Sequence, residues 1–215
     1  MTIDEIVTKI KIEKPEVIYL SGKTSTGKST LANRLNSKAG YQIIELDQVV
    51  TAAVVNKLSL PEPSQVFVEV YRNRSQRDWI DLFVSAAQAE IQKLLQKDKR
   101  VIVEGAIANP ITLKELFANV PNFSFVYIHP RNLSTYQANL LNRFVKADHQ
   151  NRAGLPSAFW ALMDEQAFEQ FCEDRQITPK LTGIIKQYAA LSAKESEVRL
   201  KKFREHFNNI EAVEV

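Results

Sequence analysis

A single cysteine in 215 residues leaves nothing to bridge. Cys172 lies among the apolar and helix-forming residues of "FEQFCEDRQ" and reads as a small buried hydrophobe, not a reactive thiol. A lone thiol suits a reducing compartment, so a cytoplasmic location is expected. Charge of one sign is also lacking. Lys and Arg total 28 and Asp and Glu 25, and the net +3 is too weak to imply a nucleic-acid partner. No run of about 18 apolar residues is present, so no membrane span is expected. No basic start leads into an apolar core, so no secretory leader is expected. His149 has no second and third ligand at useful spacing, which argues against a histidine-based metal site. Low-complexity tracts and internal repeats are absent. A hydrophobic fraction of 45% and a charged fraction of 25% are those of an ordinary soluble globular chain. The chain is long enough to bury its own core without disulfides or metals.

What is present is a rhythm. "TIDEIVTKIKI" (residues 2–12) reads as a short helix that Pro15 separates from the core. "EVIYL" (16–20) is short, β-branched and apolar, as a strand buried on both faces of a parallel sheet would be. "YQIIEL" (41–46), residues 101–103 and "FSFVYI" (123–128) repeat that character. Between them, "KSTLANRLNSK", residues 75–97 and residues 133–145 carry apolar side chains at helical spacing. The proline-rich "LSLPEPSQ" is expected to be loop. Strands alternating with helices predict an α/β, three-layer, mostly parallel sheet in one domain spanning 1–215. After Gly154 the rhythm changes. Residues 157–176 and 178–206 read as helical, giving a C-terminal helical region over about 155–207, and "NIEAVEV" alternates as an edge strand would.

The stretch behind the first strand, "GKTSTGKST", fits G-x-x-x-x-G-K-[ST] from Gly22 to Ser29. Each position answers a physical demand. Gly22 and Gly27 let the backbone curl around phosphate without a Cβ in the way. Successive N–H groups of Lys23, Thr24, Ser25, Thr26 and Thr30 then form an anion-binding nest, reinforced by the positive end of the helix opening near Lys28. Lys28 reaches the β- and γ-phosphates, and the Ser29 hydroxyl is offered to Mg²⁺. Lys23 fits no required position, and is read as solvated or as an extra phosphate contact. ATP and Mg²⁺ are therefore the expected cofactors. The loop names the donor and leaves the reaction open.

Two carboxylates narrow it. Asp47 follows the second strand, where a parallel α/β sheet collects its ligands. It would accept the proton of an attacking hydroxyl, or else cap a helix beginning at "LDQVV". Glu104 ends the third strand in "VIVEG". An acidic residue at the edge of an apolar run needs a partner, and Mg²⁺ beside Ser29, or Lys28, would supply one.

Together, "GKTSTGKS", the aspartate after strand two and "VIVEG" resemble the uridine kinase and phosphoribulokinase family, with its nicotinamide riboside and pantothenate kinase relatives. The resemblance covers about residues 16–152. It implies a nucleoside- or nucleotide-kinase-like P-loop fold in which Lys28 and Ser29 bind Mg-ATP, Asp47 activates the acceptor hydroxyl and Glu104 helps hold the metal. The sequence departs from the family in following "EG" with "AIANPIT". Its basic stretch "NRFVKADHQNRAG" is also more loosely spaced than R-D-x-x-x-R.

That stretch suggests a lid over about 142–154, with Arg143 and Arg152 supplying planar guanidinium forks to the moving phosphoryl group. A solvated helix face is the alternative. Arg72, Arg74 and Arg77 form a second cluster, either for an acidic or phosphorylated acceptor or as a basic turn before a helix. The overall expectation is an ATP-dependent kinase acting on a hydroxyl of a small metabolite such as a nucleoside or related compound. A regulatory P-loop NTPase is the alternative, although no N-K-x-D or D-x-x-G supports a guanine-nucleotide switch. A toxin-like kinase of nucleotide sugars is another. The expected partners are ATP and the acceptor, with oligomeric state open.

Overall fold

The computed structural model describes residues 1–58, 77–105, 107–146 and 176–215. Beyond Leu58, the expected loop 58–65 lies outside the described residues, as do Arg72, Arg74, Arg152, all but the last residue of the 157–176 helix, His149 and Cys172. So does the expected lid beyond Lys146.

Five strands form one sheet: β1 (Val17–Gly22), β2 (Gln42–Glu45), β3 (Val101–Glu104), β4 (Phe123–His129) and β5 (Ile210–Glu214). Their spatial order is β2-β3-β1-β4-β5, and every pairing is parallel. β1 is central, with Leu20 opposite Glu104 and Gly22 opposite Ile128. Its six residues are all buried. This is why "EVIYL" carries no polar alternation: both faces are covered.

Seven described helices accompany the strands: α1 (Ile3–Glu13), α2 (Lys28–Ala39), α3 (Leu46–Leu58), α4 (Arg77–Leu95), α5 (Pro110–Leu116), α6 (Leu133–Val145) and α7 (Pro179–Arg204). Ile18, Leu20, Ile102, Val126 and Ile128 point to one face and pack with α1 and α2. Tyr19, Val101, Val103, Phe125 and Tyr127 point to the other and pack with α4, α5 and the end of α7. The result is the three-layer α/β architecture of the P-loop fold.

Two elements differ from the sequence reading, and a third was not read from it. Pro15 does not separate α1 from the core: Ile6, Val7 and Ile10 are buried against Ile18 and Leu31. A capping box, with Glu5 N–H donating to Thr2 Oγ1 at 3.2 Å and Thr2 N–H to Glu5 Oε2 at 2.7 Å, fixes where α1 starts. The chain after "VIVEG" forms α5, capped by Asn109 with Pro110 in its first turn. The second strand stops at Glu45, and Leu46 already belongs to α3. β5 occupies the sheet edge, as the alternation of "NIEAVEV" suggested, and α7 delivers the chain to it.

Candidate active site

The C-terminal ends of β1, β2 and β3 and the polar side of α6 enclose a cleft of about 550 Å³. Parallel sheets gather ligands at this end because strand termini and helix N-termini converge there.

The glycine-rich loop supplies its floor. A Cβ on Gly22 would lie 2.5 Å from the Ile128 carbonyl oxygen of neighbouring β4, and Gly22 has φ +148°. Only glycine fits. Gly27 has open space around it but φ +92°, so its requirement is conformational. Ser25 also adopts the left-handed region, with φ +64°. Left-handed residues between right-handed ones turn successive N–H groups inward, which is the geometry of an anion nest. The Lys23 carbonyl organises the turn, accepting from Thr26 Oγ1 at 2.7 Å and Lys28 Nζ at 3.1 Å. Lys28 Nζ also donates to the Gly22 carbonyl at 3.3 Å. Burial lowers its pKa; Glu104 and Asp47 oppose that shift, and Arg143 and Arg199 add to it. Ser25 Oγ is buried with no hydrogen-bond partner.

Ser29 Oγ donates to Glu104 Oε1 at 2.8 Å. Two hard oxygen groups from sequence-distant elements thus meet at the rim of the cradle, and such a pair suits Mg²⁺. Among the described residues no three His, Cys, Asp or Glu gather as a metal cage. A magnesium ion shared with phosphate oxygens needs only one or two carboxylates. The residues present fit the group: Ser29 and Glu104 would hold it.

Asp47 is exposed in the first turn of α3 and lines the cleft. α3 begins one residue earlier, so Asp47 lies inside the helix and not at its cap. Arg143, in the last turn of α6, lines the same cleft. Arg77 does not. It pairs with Asp81 at 2.8 Å and Glu115 at 2.9 Å on the α4–α5 surface.

Sequence reasoning missed several lining residues. Asn139, Asn142 and Lys146, together with the expected Arg143, recur at helical spacing and all face the cleft, opposite buried Tyr136, Leu140 and Phe144. That polar stripe was a readable signal. Glu45 pairs in register with Glu104 and also lines the cleft. Glu195, on α7, forms an ion pair with Lys23, so Lys23 is neither simply solvated nor open to the cleft.

No family model and no curated protein matches the chain. Solved structures do. A gluconokinase from Sinorhizobium meliloti 1021 aligns over 89% of this chain and 94% of its own, at 16% identity and TM-score 0.42. A sugar kinase from Janibacter sp. HTCC2649 aligns over 86% and 94%, at 12% identity and TM-score 0.46. Shikimate kinase from Bacteroides thetaiotaomicron aligns over 88% and 98%, at 13% identity and TM-score 0.43. At such values these likenesses carry no weight for the chemistry, which rests on this chain's own geometry. None of the three is named as a uridine kinase or phosphoribulokinase.

Proposed function

We infer that the cleft transfers the γ-phosphoryl group of ATP to a hydroxyl of a small metabolite. The observation that carries this reading is the meeting of four groups around one phosphate nest: Lys28, the Ser29–Glu104 pair, Asp47 and Arg143. A nucleotide-binding module would need the nest alone. A carboxylate and a guanidinium beside it are what phosphoryl transfer adds.

The roles follow from chemistry. The loop N–H groups and Lys28 hold the β- and γ-phosphates, with the N-terminus of α2 behind them. Magnesium, when bound, neutralises charge on the phosphate oxygens, with Ser29 and Glu104 as its protein ligands. Asp47 orients the acceptor hydroxyl and takes its proton as the oxygen–phosphorus bond forms. The bond from the γ-phosphorus to the β–γ bridging oxygen breaks, and ADP departs. Arg143 stabilises charge spread over the transferring group. Arg152 would join from the lid, and Arg72 and Arg74 would meet the acceptor. The resemblance to uridine kinases makes a nucleoside or related polyhydroxyl compound the first acceptor to test.

The Asp47→Asn variant tests the reaction class. It should keep Mg-ADP affinity in calorimetry and lose about 10²- to 10⁴-fold in turnover, the usual worth of a general base. Undiminished turnover would reduce Asp47 to a residue of α3's first turn.

A further inference from the structure

Lys23 is an odd residue for a phosphate cradle. It sits directly after Gly22, yet its side chain is only 13% exposed and does not line the cleft. It turns the other way and pairs with Glu195 of α7, 172 residues later in the chain. Its own carbonyl meanwhile accepts from Thr26 Oγ1 and Lys28 Nζ. The backbone of this residue therefore sets the loop's shape, while its side chain ties the loop to α7.

Glu195 stands out as well. It has a cation four residues on, Arg199, which is ordinary helical spacing for an intrahelical pair. The glutamate nevertheless pairs across to Lys23, and among the described residues Arg199 makes no ion pair. One turn before Glu195, Ser192 is buried, and Ser196 Oγ lies 3.1 Å from Tyr127 OH and 3.0 Å from His129 Nδ1. The part of α7 that carries Glu195 is thus pinned to β4. A second tether comes from α6, where Asn139 Nδ2 donates to the Ser25 carbonyl at 3.4 Å. α6 and α7 also pack on each other.

We propose that Glu195 is a positioning residue for nucleotide binding, holding the phosphate loop in its binding shape through the Lys23 side chain. The inference rests on the kinase reading only in taking the loop to bind a nucleoside di- or triphosphate. The left-handed Ser25 and Gly27 are conformations a free loop would leave easily. Anchoring Lys23 removes part of that freedom before the phosphate arrives, so less ordering remains at binding. Glu195 itself is 67% exposed and does not line the cleft. Its effect runs entirely through Lys23.

A double-mutant cycle with Mg-ADP as the probe tests this. Lys23→Met keeps the stem and removes the charge; Glu195→Gln keeps the shape and removes the charge. Each should weaken Mg-ADP binding by about 1.5- to fivefold, the range for a partly exposed ion pair. The double variant should be no worse than either single one. Glu195→Asp, which keeps the charge, should recover part of the loss. Two results would overturn the proposal. Loss in Lys23→Met with none in Glu195→Gln would make Lys23 a direct phosphate contact. Additive losses would make the two residues independent. Failure of the wild-type protein to bind Mg-ADP would instead overturn the nucleotide reading, and this inference with it.

Discussion

Burial lowers the pKa of Lys28 more than Glu104 and Asp47 raise it. For a basic group the sign matters. A folded pKa below the unfolded value means that the unfolded chain binds the proton more tightly. The cost to stability is present in full below the lowered value, and fades as pH rises from there to the ordinary 10.5. At pH 7 the lysine therefore works against the fold. Lys28→Met should raise the unfolding temperature of the nucleotide-free protein, by about 2–4 °C for each kcal/mol relieved. It should also abolish the stabilisation that Mg-ATP gives the wild type. Thermal unfolding with and without Mg-ATP checks both. A lower unfolding temperature in the free variant would contradict the assignment. The place of Lys28 in the glycine-rich loop was legible in the sequence because the motif is set by local spacing. Lys23 was not, because its partner comes from the far end of the chain. Asp47 was legible as a cleft residue, whereas its place inside α3 required knowing that β2 ends at Glu45.

At the scale of elements, α6 forms one side of the cleft and α7 packs on α6. α6 divides cleanly, with Tyr136, Leu140 and Phe144 buried and the stripe from Asn139 to Lys146 facing the cleft. α7 is joined to β4 by polar contacts as well as by packing: Ser196 Oγ meets both Tyr127 OH and His129 Nδ1. His129 stands near Glu197 and Glu214, and near Arg131 and Arg204. Burial is the largest influence and lowers its pKa from 6.5. The unfolded chain thus protonates first as pH falls. The junction is at full strength above pH 6.5 and weakens as pH drops through the lowered value. The unfolding temperature should fall between pH 7.5 and pH 5, and His129→Gln should flatten part of that fall. An unchanged slope in the variant would remove His129 from the account. None of this could be read from "FVYIHPR", since the histidine's partner is a serine 67 residues away. α5 is the opposite case. Asn109 and Pro110 are a plain start signal, but seven residues are too few for a period to emerge.

For the molecule as a whole, sequence and structure agree where burial is two-sided. The central strands are continuous apolar runs, and the sheet they build is parallel throughout. Agreement fails where one element's fate depends on another. Pro15 reads as a break, yet α1 is a core layer because Ile6 and Ile10 find the α2 face of the sheet. Arg77 reads as part of an acceptor-binding cluster, yet Glu115 of α5 captures it on the surface. Among the described residues no helix is long and apolar enough to cross a membrane. What the fold provides is a strand-end cleft lined by the glycine-rich loop, Asp47, Glu104 and Arg143. The central claim is that this cleft passes a phosphoryl group to a hydroxyl. The most direct measurement is ³¹P NMR of Mg-ATP with the purified protein and a panel of nucleosides, sugars and other hydroxyl metabolites. Slow ADP formation is expected alone, and with one acceptor class rapid ADP formation together with a new phosphate-ester resonance. Rapid ADP formation that yields inorganic phosphate alone, whatever is added, would contradict it.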